Sequence, residues 1–283
     1  MNMDKLLLVD GSNLLFQMFF GMPARIVNKA GKAIHATFGF VGALTKIIRM
    51  IQPTHVAVLF DGEHENERTA LNVDYKANRI DYGALPQEEC PFTQLPDIYA
   101  ALDYMQIPHA ETTDCETDDW IAGYALSVGQ EMQVVISSFD SDYFQLLSEN
   151  VSVLRYRGKK SSIHTPEALA AQLAIAPQQY ADWKALVGDA SDNIKGASGI
   201  GPKTAARLLN EFGTLENLIA NADKIGKNSV RECILSERER LKTNYRLIKL
   251  TDGAALPFAR EELAYCDGSL STSEILKAIG LLP

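Results

Sequence analysis

Nine carboxylates fall at five places where this chain turns. Asp10 closes the apolar run KLLLVDG (5–11), Asp61 closes HVAVLFDG (55–62), and Asp140 and Asp142 close QVVISSFDSD (133–142). Glu116, Asp118 and Asp119 open a helical pattern in CETDDW, and Asp189 and Asp192 lie in GDASDN. One Asp before a Gly is ordinarily a turn residue, and acids at a helix start serve its cap and dipole. The set asks for more. If the three runs are parallel neighbours, their carboxyl ends meet in one place. Several carboxylates gathered there repel one another unless cations neutralise them. Oxygen donors without His or Cys suit Mg²⁺ or Mn²⁺. Two such ions can activate water and stabilise the leaving oxygen in phosphodiester hydrolysis.

A second string, GASGIGPKTAARLL (196–209), carries the complementary chemistry. It has the form of a helix-hairpin-helix, in which Gly199 and Gly201 permit a tight turn and close backbone approach. The amides beyond the turn belong to a helix N-terminus, where a phosphate is favoured. Lys203 adds a charge and Thr204 a hydroxyl. Contacts of this kind go to backbone and carry little sequence specificity.

The elements that must position these groups read as α/β. Short, fully apolar runs spaced by helical patterns predict buried parallel strands with helices on both faces. Helices are predicted over FGFVGALTKIIRMI (38–51), PDIYAALDYM (96–105) and DDWIAGYALSVG (118–129). Residues 62–96 are polar and contain Pro86 and Pro91, which predicts a loop or partly helical flap; long excursions of this kind are usually functional. From about 165 the pattern is helical throughout, with no strand expected there. We expect an α/β core over 1–165 that carries this excursion at about 62–96, a helix-hairpin-helix region over 166–250, and a tail over 251–283 packing on the core.

The chain has 283 residues and a net charge of −9, which taken alone disfavours a nucleic-acid partner. The distribution reverses that reading. Lys195 to Lys249 holds 11 basic against 6 acidic residues, while the remainder holds 16 against 30. An acidic body with a basic segment can hold cations at one end and phosphate at the other. The 4 cysteines are far apart, which fits a reducing cytoplasm and argues against a zinc site. No apolar run approaches the roughly 18 residues that span a bilayer, and the N-terminus lacks a signal-peptide pattern.

Together LLLVDGSN, THVAVLFDG, YKANR, ETDDWIAGYA, SSFDSDYFQLLS and GDASDNIKGASGIGPKTA resemble the 5' nucleases: bacterial and phage flap endonucleases, and the 5'-3' exonuclease domain of DNA polymerase I. The resemblance covers roughly residues 5–250, and a chain closing at Pro283 resembles a stand-alone enzyme of that kind. It implies a metal-dependent nuclease of DNA replication and repair, cutting 5'-flap or other branched DNA near single-strand/duplex junctions. RNA primer–DNA hybrids are further substrates it implies, and a monomer the usual state. It places all nine acids in the metal cluster, with Asp118 and Asp119 also catalytic. It sets Tyr75, Lys76 and Arg79 at the base of a helical arch, where Lys76 and Arg79 contact the scissile phosphate and Tyr75 stacks on a base. Arg68 is implied as a further phosphate contact. A K⁺ ion at the hairpin would take the carbonyls of Leu186, Val187, Lys195, Ala197 and Ile200, and residues Gly199, Ile200, Gly201, Pro202, Lys203 and Thr204 would hold the duplex. Gln17 stands where the family commonly has Arg, Phe139 and Ser141 replace Gly and Lys, and the arch from Ile80 to Pro96 has no Lys or Arg. A PIN-type ribonuclease and a catalytically silent junction-binding protein are the alternatives.

Overall fold

The computed structural model describes residues 3–62 and 67–283. Six strands form one sheet: β1 (Lys5–Asp10), β2 (His55–Phe60), β3 (His109–Glu111), β4 (Gln133–Ser137), β5 (Val151–Arg155) and β6 (Ser162–His164). Their order is β3-β2-β1-β4-β5-β6, parallel except for β6, which runs antiparallel to β5. Leu7 sits between Val56 and Val135, so the ends of β1, β2 and β4 finish side by side. The predicted α/β architecture is therefore present.

The helices are α1 (Gly11–Gly21), α2 (His35–Ile51), α3 (Glu67–Leu71), α4 (Leu95–Tyr104), α5 (Thr117–Val128), α6 (Pro166–Leu173), α7 (Tyr180–Val187), α8 (Pro202–Phe212), α9 (Leu215–Ala220), α10 (Asn228–Ile248) and α11 (Thr272–Ala278). Strand alternation explains why the central runs are apolar at every position. Leu7, Val9, Val56 and Val58 face α2 and α11, packing with Phe40, Leu44 and Ile275. Leu6, Leu8, Ala57 and Leu59 face the other way, against Trp120, Ile121 and Tyr124 of α5. A third core joins α7, α8, α9 and α10 through Leu186, Leu208, Leu218 and Ile234. Among the described residues no helix is long and apolar enough to cross a membrane.

Two expectations change, and one helix was not read in the sequence. Helix α1 begins directly at the end of β1, because the Asp10 carboxylate caps it by accepting from the Asn13 N–H at 2.9 Å. Past residue 165 the chain does form strands: β7 (Gly188–Asp189) and β8 (Ile194–Lys195) make an antiparallel ribbon. The arch expected at about 62–96 has little helix. Its residues 63–66 lie outside the described residues, and the rest holds α3 and two short 3-10 turns at Tyr82–Ala84 and Pro91–Gln94. Pro86 and Pro91 remove donors that a continuous helix would need.

Candidate active site

An open cleft of about 700 Å³ lies over the carboxyl edge of the sheet. Asp10, Asp61, Glu116, Asp118 and Asp140 line it from the sheet side, and Lys76, Arg79 and Tyr82 from the flap. Each acid is held by its neighbours. Besides capping α1, Asp10 accepts from Ser138 Oγ at 2.9 Å and Tyr143 Oη at 3.3 Å. Asp61 accepts from the Thr117 N–H at 3.1 Å, at the start of α5. Tyr143 Oη also donates to Asp118 at 2.6 Å. Asp140 accepts from the Asp142 N–H at 2.8 Å. Strand ends, a helix start and a tight turn thus aim five carboxylates into one space.

Their electrostatics are those of a site lacking positive charge. Burial, and then the nearby Asp61, push Asp10 up to about 7. Burial and the adjacent Asp140 lift Asp118 well above the usual carboxylate range. Glu116 is the exception. Burial works to raise it, but Lys76 (2.7 Å) and Arg68 (2.6 Å) outweigh that and hold it low. Lys76 adopts φ 56°, which turns its side chain under the flap toward Glu116.

Asp142, Asp189 and Asp192 gather separately. Among the described residues they are the one acidic triple whose ligand oxygens all lie within 4.8 Å of one another. Asp189 ends β7, Asp192 lies in the turn that leads to β8, and Arg79 reaches Asp192 at 2.8 Å. Lys184 of α7 pairs with Asp142 and, at 2.5 Å, with Asp189. Burial opposes its charge, but Asp142, Asp140 and Asp189 outweigh it and keep the ammonium protonated. This lysine went unread in the sequence, where DWKALVG looks like one face of an ordinary amphipathic helix. Only the fold marks it, by burying Ala181 and Ala185 of the same helix in the core.

Three expected site residues sit elsewhere. Asp119 turns from the cleft, accepting from Arg68 at 2.7 Å and from the Thr251 N–H at 3.0 Å. Arg68 is buried between Glu116 and Asp119, so its guanidinium is spent on carboxylates and is not open to a phosphate. Tyr75 is buried in the helical core, its hydroxyl on Glu116 at 3.2 Å, and offers no face for a base. In this structure both side chains are therefore turned inward from the phosphate and base contacts expected of them. The departures are also absorbed locally: Gln17 donates to the Tyr156 carbonyl at 2.7 Å, and Phe139 stacks beneath Arg157.

The hairpin is braced from behind by α10. Glu237 accepts from the N–H and hydroxyl of Ser198 at 3.1 and 2.8 Å, and Arg240 donates to the Gly196 carbonyl at 2.9 Å. Gly199 has φ 73°, in the left-handed region that a side chain disfavours. Ile200 anchors the turn in the core, while Gly201, Pro202 and Lys203 are exposed at the start of α8. Of the five carbonyls expected around K⁺, three already accept from protein: Leu186 from Ala197, Lys195 from Asn244, and Ala197 from Ile200. Each retains a second lone pair.

Comparison with known proteins follows the same division. Residues 5–174 match the model of the 5'-3' exonuclease N-terminal resolvase-like domain, and residues 175–269 that of the 5'-3' exonuclease C-terminal SAM fold. A 5'-3' exonuclease of Aquifex aeolicus is 33% identical over 92% of this chain and 86% of its own. DNA polymerase I of Streptococcus pneumoniae is 32% identical over 94% of this chain, which spans 30% of the polymerase. Among solved structures, T5 5'-exonuclease with bound divalent metal ions (zinc) has a TM-score of 0.71 at 24% identity, covering 86% of this chain and 89% of that one. The catalytic core of Rad2 in complex with DNA substrate has a TM-score of 0.63 at 16% identity, over 99% and 90%. These likenesses carry the fold, and the two domain matches carry the family: the chain belongs to the 5'-3' exonucleases.

Proposed function

We propose that this member of the family is a divalent-metal-dependent 5' nuclease that cuts DNA near the junction of a 5' single strand and a duplex. The observation that carries this reading is the cleft itself. Five carboxylates face Lys76 and Arg79 across it, and a short ribbon joins the same site to the hairpin. The donor set fits hard cations: every candidate ligand is a carboxylate oxygen, with no imidazole or thiolate among the acids. The crowding that lifts Asp10 and Asp118 is what a bound cation relieves.

Asp10, Asp61, Glu116, Asp118 and Asp140 would hold ions on the cleft side, and Asp142, Asp189 and Asp192 on the other. Two or more Mg²⁺, with Mn²⁺ as substitute, would supply activated water and neutralise charge on the scissile phosphate. The chain's own groups do the rest. Lys76 and Arg79 would set positive charge against the negative charge that develops on the oxygens of the scissile phosphate. Tyr143 fixes the orientation of Asp10 and Asp118 through its hydroxyl, and Arg68 fixes Glu116 and Asp119. The amides from Gly201 to Thr204, with Lys203, would take a duplex phosphate, and K⁺ at the hairpin would be a further bridge. On this reading 1–165 performs hydrolysis, 166–250 grips duplex, and 251–283 buttresses the core. The protein would act as a monomer in the cytoplasm, on flap DNA and also on RNA primer–DNA hybrids.

The test is cleavage of a 5'-labelled flap in Mg²⁺ plus K⁺ by wild type and Asp118→Asn. A short labelled product cut near the junction, from wild type only, is the expected result. Retained flap binding without cleavage in either Mg²⁺ or Mn²⁺ would replace this reading with a junction-binding one.

A further inference from the structure

The two groups of carboxylates are neutralised in different ways. Among the described residues no ion pair joins Asp10, Asp61, Asp118 or Asp140 to a basic side chain. Their hydrogen-bond donors are neutral: Asn13, Ser138, Tyr143, Thr117 and the Asp142 amide. The other triple is nearly balanced without any metal. Arg79 takes Asp192, and Lys184 takes both Asp142 and Asp189. The side chain of Lys184 is 8% exposed, as is that of Asp142. A buried ammonium is costly unless fully paired, and so is a buried acidic triple. Here each solves the other's problem, and the ammonium lies among the oxygens that a divalent ion would take.

We propose that Lys184 is the resident cation of the Asp142–Asp189–Asp192 cluster. It holds the cluster assembled in the metal-free protein and weakens its hold on a divalent ion, which has to displace the ammonium. The proposal rests on the reading that these carboxylates bind divalent metal. It makes binding ordered: the cleft group, in which only Glu116 has cationic partners, fills first, and the cluster fills later and more weakly. Lys184 is a positioning residue on this account and touches no substrate. Removing its charge leaves Asp142 and Asp189 uncompensated. The cluster then becomes less stable without metal and tighter toward it, by about tenfold or more for the loss of one adjacent charge.

The experiment is calorimetric titration of the full chain with Mn²⁺ alone, in wild type, Lys184→Met and Lys184→Arg, with melting curves before and after Mn²⁺. Two classes of site are expected in wild type. Lys184→Met should tighten the weaker class about tenfold and leave the tighter one unchanged. It should also melt below wild type without metal and recover with Mn²⁺. Lys184→Arg, which keeps the charge, should resemble wild type. If Lys184→Met does not fold without metal, Lys184→Gln carries the same expectation with an amide that can still donate to Asp142. Two classes unchanged by loss of the charge would overturn the proposal and leave the metal reading standing. No Mn²⁺ binding by any of these proteins would overturn both.

Discussion

Residues 80–96 on the flap carry Asp81, Glu88 and Glu89 and no Lys or Arg, whereas Lys195 to Lys249 carries 11 basic residues against 6 acidic. The flap offers aromatic surface in place of charge. Tyr82 stands edge-on to Phe16 at 5.0 Å, Phe92 joins them, and Phe20 beside them is 59% exposed. The hairpin offers amides, a lysine and a rigid backing helix. Phosphate contacts depend on salt, while stacking on bases largely does not. On the proposed function, the difference teaches that the duplex would be held by charge and backbone and the single strand by ring faces, with Lys76 and Arg79 serving the cleavage point between them.

Replacing Lys76 should break the contrast most severely, since it removes the cation at the cleft from both partners. Lys76→Ala should lower kcat about 100-fold with little change in KM, measured on a flap at saturating Mg²⁺; an equal rise in KM would make it a binding residue. At the hairpin, Gly199→Val forces a branched side chain into a left-handed backbone. The space around that position is open, so only conformation is at stake. Strain of about 1–3 kcal/mol should weaken duplex binding roughly tenfold, with single-strand binding unaffected. Tyr82→Ala sharpens the comparison from the flap side. Binding of a 5' overhang should fall about 5-fold while the slope of affinity against salt stays as in wild type. A changed slope would mean that the aromatic group was orienting charge. Lys203→Ala should have the smallest effect and the opposite signature: a few-fold loss at moderate salt and a salt slope shallower by about 1.

Much of the sheet was legible because buried parallel strands must be apolar on both faces. KLLLVD, HVAVLF and QVVIS show this directly, and each runs into an acid that the carboxyl edge exposes. Strands β3, β5 and β6 were not legible. His109–Glu111 and Ser162–His164 have three residues each, too few to show a period, and VSVLR in β5 mixes polar with apolar, with Ser152 and Arg155 only half-buried. Acid positions could be read because loop carboxylates declare themselves in the sequence; which of them face one space could not. Asp118 and Asp119 are adjacent, yet a helix points one to the cleft and the other to Arg68 and Thr251. Buried cations were the larger gap. Arg68 and Lys184 look like solvent-facing charges until the fold sets carboxylates beside them.

Gly188 and Gly196 meet back to back where α7 gives way to the hairpin. A Cβ on Gly188 would lie 2.5 Å from the Gly196 nitrogen, and one on Gly196 would lie 2.3 Å from the Val187 carbonyl. Only six residues along the chain separate Asp192 from Gly199, and this close seam leaves the span little slack. On the proposed function it would work as a gauge block: a duplex seated on the turn would sit at a set distance from the carboxylates. The cut would then be counted in base pairs from the grip, with the letters of the sequence playing no part.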